Sequence, residues 1–366
     1  MTDAEYMRLA IGLAKKGCGW VNPNPMVGAL IVKESRIIGR GYHAKYGGPH
    51  AERNAIAGCA ASPAGATLYV TLEPCCHHGK TPPCTEAILE SGIRRVVIGS
   101  FDPNPQVAGK GLAVLRAHGV QVTEGVLKQE CDALNKSFFH YIQSTTPYVV
   151  MKYAMTLDGK IATPSGGSKW ITGEAARRRA HEDRHRYSAI MVGVGTVLAD
   201  DPMLTCRIEN GRNPLRVVCD THLRTPLHAK LVTSTDAAGT LLATAVPDAE
   251  RHRPYLEAGC ALVVLPEKNG RIDLKRLMAV LGQRGTDSVL LEGGGTLNWA
   301  ALQSGIVHKV QAYIAPKLFG GNGQTPVAGA GVLCPDGAFR LGKPAITMIG
   351  DDILLESEVI GCLQEL

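Results

Sequence analysis

The chain has 366 residues, enough for about two domains, and its 45% hydrophobic and 20% charged content is that of a protein that buries ordinary cores. No run of about 18 apolar residues occurs, which excludes a transmembrane-helix protein. The net charge of +6 comes without a Lys/Arg run, and aromatics are only 5%, which argues against a surface built for a nucleic-acid strand and suits an anionic substrate or cofactor, or simply solubility.

The start, Met1-Thr2-Asp3-Ala4-Glu5, has neither the basic nor the apolar region of a secretory signal. Eleven cysteines, an odd number, are mostly scattered singly through apolar stretches, which predicts reduced thiols in a cytoplasmic protein. Met7, Ala10, Ile11 and Ala14 fall at helical spacing within residues 3–17. A turn at Asn22-Pro23-Asn24-Pro25 leads to a buried strand over 27–32 and a short hairpin to Gly39. His50 opens a helix running to about Ala60, and Thr67–Leu72 is a strand ended by Glu73-Pro74. Pro82-Pro83-Cys84 opens another helix, whose N-terminus is expected to favour the Cys84 thiolate. A strand at 95–99, a loop at Asp102-Pro103-Asn104-Pro105, a helix to Gly119, a strand at 120–124 and a helix to about 143 complete a three-layer α/β domain.

Polar residues 144–147 mark a boundary, placing one domain at 1–145 and a second at 147–366. Strands are expected at 148–155, 189–193, 215–220, 241–245, 261–265, 288–291 and 309–314, with helices at 173–187, 248–258, 273–283 and 296–304. This is a second α/β domain. The stretch beyond about 320 is the least diagnostic.

The chemistry-bearing pattern is His50-Ala51-Glu52 followed by Pro74-Cys75 and Cys84. One His and two Cys hold Zn²⁺ and leave a fourth position for water. The metal lowers the pKa of that water to about 7, and a nearby carboxylate that is not a ligand moves its proton. H-x-E then P-C-x-x-C is the signature of zinc deaminases. Here eight residues (76–83), not two, separate the thiols. A structural zinc is the plainer alternative, with Cys76 as a fourth ligand, but adjacent cysteines rarely both reach one metal. The insert carries His77, His78, Lys80 and Thr81, donors suited to an anion, although it also reads as a solvated basic loop. In the second domain, Glu292-Gly293-Gly294-Gly295-Thr296 joins a strand to a helix, as phosphate-cradling turns do, without being G-x-G-x-x-G. Gly193-Val194-Gly195-Thr196 is a second glycine-rich strand exit, and Lys152, Asp158, Asp200 and Glu292 sit near strand ends as candidate pocket groups.

His50-Ala51-Glu52, Thr71-Leu72-Glu73-Pro74-Cys75, His78 to Cys84 and Asp102-Pro103-Asn104-Pro105 resemble the bifunctional deaminase/reductase family of bacterial riboflavin biosynthesis. So do Lys152 to Gly159, Trp170-Ile171-Thr172, Val197 to Pro202 with Leu204-Thr205, and Glu292-Gly293-Gly294. The resemblance implies a cytidine-deaminase-like N-terminal domain and a dihydrofolate-reductase-like C-terminal domain. It implies Zn²⁺ on His50, Cys75 and Cys84, with Glu52 as the proton carrier. Asn24, His43, His77, Lys80, Asp102 and Asn104 would contact the deaminase substrate, 2,5-diamino-6-ribosylamino-4(3H)-pyrimidinone 5′-phosphate. NADPH would lie along Ala154, Trp170, Thr196, Asp200, Thr221, Gly294, Gly295, Thr296, Leu297 and Asn298. Lys152, Ser168, Arg184, Leu204, Arg207 and Glu292 would hold the reductase substrate, with Arg184 and Arg207 on its phosphate. The product would be 5-amino-6-ribitylaminouracil 5′-phosphate. A homo-oligomer, dimer or tetramer, is expected. This sequence departs from the family's pattern at His78, which doubles His77, and at Cys76, where Ser is common.

Two other readings stay in view. A nucleic-acid base deaminase would leave the second α/β domain unexplained, and a zinc-stabilised binding protein would have no need of Glu52. In the reductase the proton is expected from Lys152 or Asp200.

Overall fold

The computed structural model describes residues 1–78, 82–104 and 107–362. The chain forms two compact units, Met1–Thr145 and Thr146–Leu366. Among the described residues no helix is long and apolar enough to cross a membrane.

The first unit contains α1 (Asp3–Ala14), β1 (Gly28–Lys33), β2 (Arg36–Tyr42), α2 (Ala51–Ala57), β3 (Thr67–Leu72), α3 (Cys84–Glu90), β4 (Arg95–Ser100), α4 (Lys110–Ala117), β5 (Gln121–Thr123), α5 (Lys128–Leu134) and α6 (Lys136–Ser144). Thr2 and Glu5 close a reciprocal capping box that starts α1. The sheet order is β2-β1-β3-β4-β5; β1 runs antiparallel to both neighbours, and β3, β4 and β5 are parallel. Side-chain alternation along each strand divides the core. Ala29, Ile31, Leu68, Val70, Val96 and Ile98 pack against Ala51 and Ala55 of α2, Ile88 of α3, and Leu112 and Leu115 of α4. Leu30, Val32, Tyr69 and Val97 face Met7, Ala10 and Ile11 of α1 and Cys131 and Leu134 of α5. The three layers expected from the sequence are therefore present. The single helix expected up to residue 143 is two, broken at Asn135. That amide binds the backbone of Met26, Oδ1 accepting from its N–H at 2.8 Å and Nδ2 donating to its carbonyl at 3.0 Å. The helix after His50 is also shorter than expected, with Gly58 as its C-cap.

The second unit contains β6 (Tyr148–Thr156), α7 (Glu174–Arg186), β7 (Ala189–Gly193), α8 (Val194–Asp200), β8 (Leu215–Cys219), α9 (Lys230–Thr233), β9 (Thr240–Thr244), α10 (Ala249–Glu257) and β10 (Ala261–Val264). It continues with β11 (Glu267–Lys268), β12 (Arg271–Ile272), α11 (Leu274–Gln283), β13 (Ser288–Leu291), α12 (Gly295–Gln303), β14 (Lys309–Ala315), β15 (Phe339–Leu341), β16 (Ala345–Ile349) and β17 (Asp352–Cys362). The sheet order is β10-β9-β8-β7-β13-β6-β14-β17-β15, with β16 beside β17. Strands from β10 to β14 are parallel, and β17 is antiparallel to β14. Met151, Met191, Val217 and Leu291 pack on α11 and α12 through Leu277, Leu281 and Ala301. Ile190, Val192, Val218 and Leu242 pack on the other face, against Val197, Leu231 and Tyr255. Three features, besides the short α9, were not legible in the sequence. Gly193 leads at once into α8 rather than into an open turn, β15–β17 extend the sheet, and β11–β12 form a hairpin closed by Asn269-Gly270. Both loop residues take positive φ, +53° and +75°, as a two-residue hairpin loop requires.

Candidate active sites

His50 is the N-cap of α2, so its ring stands at a helix mouth and Glu52 follows inside the first turn. The helix can lie this close to β2 because Gly41 has no side chain: a Cβ there would stand 2.3 Å from the Ala51 carbonyl. Cys75 follows β3, and Cys84 is the first residue of α3. The three ligand atoms lie within 4.8 Å of one another. His50 Nδ1 is 3.5 Å from Cys75 Sγ and 3.4 Å from Cys84 Sγ. Tetrahedral zinc with Zn–S near 2.3 Å and Zn–N near 2.0–2.1 Å requires N···S edges of about 3.6 Å. The donor set therefore fits zinc in both chemistry and size.

The structure aims the first amide of α3 away from the thiol that the sequence favours. The Cys84 N–H donates to Cys75 Sγ at 3.4 Å. Hydrogen bonds from Cys84 hold Cys75 down at about 4, while Cys84 is pushed up by donating to it and by burial. Two thiolates need a cation between them, which is the role of the metal. Cys75's sulfur also raises His50 through their contact. Glu52 is 3% exposed, and burial, then the Cys75 charge, pushes its carboxyl to about 7.

A cavity of about 280 Å³ opens over this centre. Asn24, His43, His77, Asp102 and Asn104 all line it with His50, Glu52 and Cys75, so five of the six predicted substrate contacts are brought together. The sixth, Lys80, lies outside the described residues. His77 lines the cavity, whereas His78 is exposed. His43 Nδ1 meets the Pro49 carbonyl at 3.0 Å and its Nε2 meets Asn24 Nδ2 at 3.2 Å, and burial lowers its pKa. Burial raises Asp102 to about 6. Arg53, next to Glu52, donates to the carbonyls of Pro82 (3.1 Å) and Pro83 (2.8 Å), tying down the approach to Cys84. Sequence reasoning missed Glu73, Phe138 and Ile142 on the wall. Glu73 is buried, and its Oε2 accepts from Gly109 N at 3.1 Å. Its place two residues before Cys75 was the available signal. The two apolar side chains carried none, because α6 reaches the wall only through tertiary packing.

In the second unit the candidate groups collect at the C-terminal ends of parallel strands, where open α/β sheets bind ligands. Leu291 pairs with Met151, which sets Glu292 beside Lys152. Glu292 Oε2 is 3.8 Å from Lys152 Nζ. Arg184 grips the same carboxylate with two hydrogen bonds, Nε to Oε1 at 2.9 Å and a terminal nitrogen to Oε2 at 3.0 Å. Burial opposes ionisation of Glu292, but Arg184 and Lys152 outweigh it and hold the carboxyl at about 2. Lys152 Nζ also stands over the Tyr313 ring, 5.4 Å from its centroid. Arg207 is exposed and donates from Nε to His181 Nε2 at 3.2 Å; burial, Arg184 and Arg207 lower that imidazole to about 4. Sequence reasoning missed His181, although it shares a face of α7 with Arg184 at a spacing of three.

Arg184 and Leu204 are both engaged within the unit itself. Arg184 bonds Glu292 and the Thr205 carbonyl at 3.2 Å, so it ties the carboxylate to the loop at Thr205. Leu204 is 4% exposed within the core, with φ +53°, so its backbone is the part that can meet a ligand. Asp158 is engaged with the backbone: it accepts from Thr156 Oγ1, Phe319 N and Gly320 N, and these bonds lower it to about 2. Ser168 is half-buried, Trp170 is 60% exposed with the Arg177 guanidinium 4.6 Å from its ring centroid, and Ala154 is half-buried on β6. Asp200 is exposed at the last position of α8.

The helix α12 opens at Gly294 with no side-chain cap. A Cβ on Gly294 would meet nothing nearer than Thr196 Oγ1 at 3.9 Å, so the turn faces open space beside α8. A Cβ on Gly293 would stand 3.0 Å from Asn298 Oδ1. Asn298 is fully buried, donates to the Pro326 carbonyl at 2.8 Å and leaves Oδ1 without a partner among the described residues. An open helix mouth at this glycine turn, beside the start of α8, fits a dinucleotide pyrophosphate.

A His-Cys-Cys centre with a buried glutamate on a three-layer sheet defines a zinc deaminase domain, here fused to a second α/β unit with a nucleotide-type turn. Residues 1–100 match the cytidine and deoxycytidylate deaminase zinc-binding region, and residues 147–355 match the RibD C-terminal domain. The chain is 56% identical over 364 residues to riboflavin biosynthesis protein RibD of Actinobacillus pleuropneumoniae, covering 99% of this chain and 97% of that protein. It is 40% identical over 371 residues to RibD of Escherichia coli, covering 97% and 99%. Among solved structures, it resembles Acinetobacter baumannii RibD with a TM-score of 0.88 at 36% identity, covering 98% of this chain and 99% of that one. A Thermotoga maritima diaminohydroxyphosphoribosylaminopyrimidine deaminase/5-amino-6-(5-phosphoribosylamino)uracil reductase matches with a TM-score of 0.86 at 40% identity over 98% of both chains. The chain belongs to the RibD family of riboflavin biosynthesis proteins.

Proposed function

We propose that the chain catalyses two consecutive steps of riboflavin biosynthesis. It deaminates 2,5-diamino-6-ribosylamino-4(3H)-pyrimidinone 5′-phosphate and then reduces the ribosyl chain with NADPH to give 5-amino-6-ribitylaminouracil 5′-phosphate. The observation that carries this reading is the single cavity in which Glu52 and the His50-Cys75-Cys84 triad meet Asn24, His43, His77, Asp102 and Asn104.

Zinc, when bound, makes hydroxide available at neutral pH. Glu52, buried beside the ligands, takes the proton of the attacking water and delivers it to the departing amine, so that the water oxygen stays on the ring as the oxo group and the amine leaves as ammonia. Asn24, His43, Asp102 and Asn104 orient the pyrimidine together with His77, and Lys80, outside the described residues, is a further proposed contact. In the second unit NADPH, when bound along Ala154, Trp170, Thr196, Asp200, Thr221 and Gly294 to Asn298, supplies the hydride. The ring-opened imine of the ribosyl chain accepts it at C1. We assign the accompanying proton to Lys152, which Glu292 and Tyr313 hold in the pocket, in preference to the exposed Asp200. Arg207 meets the phosphate, with Ser168 and the Leu204 backbone nearby.

Mass spectrometry of the diaminopyrimidine phosphate tests both steps. Replacement of an amine by an oxo group, followed by gain of two hydrogens only with NADPH, is expected; no change in the first incubation refutes the deaminase assignment. A cytoplasmic homo-oligomer, dimer or tetramer, is part of the same proposal. Exposed Ile346, Met348 and Ile360 on β16 and β17 favour it, and sedimentation of a monomer would refute it.

A further inference from the structure

The glycine turn at α12 accounts for a pyrophosphate but not for a preference between the two nicotinamide dinucleotides. That choice is made at the adenosine ribose, where a carboxylate suits the free 2′-hydroxyl and an arginine suits the 2′-phosphate. With the pyrophosphate at α12 and Ala154 on β6 toward one end, the strand order β8-β7-β13-β6 puts the other end of the ligand at the exit of β8.

Three observations meet there. The acid at that exit, Asp220, is fully buried and turned into its own loop, where Oδ2 accepts from Thr225 N and Thr225 Oγ1, each at 2.7 Å. It cannot reach a ribose. Thr221 Oγ1 accepts the Ile272 N–H at 3.2 Å, which fastens the β11–β12 hairpin to the β8 exit and leaves the hydroxyl proton to donate. Arg271 in that hairpin donates to the Thr296 carbonyl at 3.3 Å, so its guanidinium spans from the hairpin to the first turn of α12. Directly across the hairpin Arg271 pairs with Lys268, and both are exposed. Like charges facing each other across a two-stranded ribbon are unfavourable on their own, and a dianion between them reverses the sign.

We infer that Arg271, assisted by Lys268 and Thr221, binds the 2′-phosphate of the dinucleotide and sets the preference for NADPH over NADH. The inference rests on the reductase reading above. Its test is direct binding by the full-length protein, titrating NADPH and NADH by their fluorescence and 2′,5′-ADP by calorimetry. Loss of one charged contact to a phosphate predicts that Arg271→Gln weakens NADPH and 2′,5′-ADP by about tenfold to a hundredfold, with NADH within about twofold of wild type. Lys268→Gln should show the same pattern more weakly. Equal weakening of NADPH and NADH overturns the inference and leaves Arg271 as a brace for the α12 turn; unchanged affinity for NADPH also overturns it. Melting curves of both variants exclude unfolding as the cause, and Arg271→Lys, which keeps the charge, should recover part of the NADPH affinity. If the wild-type protein binds neither dinucleotide, the reductase reading itself has failed; if it binds NADPH but Arg271→Gln does not discriminate, only this inference has.

Discussion

Replacing Glu292 by Gln removes the anion from a buried cluster of two cations while keeping its shape. Glu292 and both partners, Lys152 and Arg184, have side chains only 13–15% exposed. The carboxyl is held at about 2 against an ordinary 4.5, a difference that converts to about 3 kcal/mol in favour of the folded state at neutral pH. Removal of one member of a buried ion pair costs about 3–5 kcal/mol by the same logic, because the remaining charges are left uncompensated. For a unit of this size, that lowers the melting temperature by on the order of 10 °C. The sign with pH follows from the depressed value: the stabilisation is fully present above the unfolded pKa of about 4.3 and is lost as pH falls through about 2. Calorimetry of wild type and Glu292→Gln should therefore show a gap in the second unit's transition that is constant from about pH 5 to 8 and closes under acid. A melting temperature within about 2 °C of wild type at pH 7 would refute the reasoning, as would a gap that widens on acidification.

Glu52→Gln should retain zinc at wild-type stoichiometry, because the proposed ligands are His50, Cys75 and Cys84, while deamination falls by about a hundredfold or more; metal analysis beside a deaminase assay checks both halves. Stripping zinc with a chelator should abolish deamination yet leave NADPH-dependent reduction of the deaminated substrate intact, since the two sites draw on different residues; loss of both activities together would contradict this. Asp102→Asn should raise stability at pH 7 by about 1–3 kcal/mol while raising KM for the diaminopyrimidine. Burial lifts Asp102 to about 6, so its contribution to stability is greatest below about pH 4 and is lost as pH rises through about 6. Denaturation across pH 4 to 8 with substrate kinetics reads both effects, and equal stability at pH 7 would count against it.

Much of the architecture was legible because the code involved is local. Near-continuous apolar runs in 28–33, 67–72 and 95–100 specify strands buried on both faces, and the run from Ser288 to Leu291 does the same in the second unit. The ligand set was legible for a related reason: zinc constrains residue type and spacing tightly enough that His50, Glu52, Cys75 and Cys84 stand out before any fold is known. Composition could not show the break at Asn135, which answers to Met26, a residue 109 positions away. Nor could it show that Arg184 is spent on Glu292, that Leu204 turns into the core, or that Asp158 holds the 319–320 backbone. Whether a polar side chain faces a ligand or another part of the protein depends on what packing leaves beside it, and that is a property of the folded chain. Sequence by itself determined the layers and singled out His50, Glu52, Cys75 and Cys84, which the fold brings together, because periodicity and coordination chemistry act over a few residues. Only the tertiary structure decided which of the remaining charges line a pocket, since each must find a partner brought to it from a distant strand or helix.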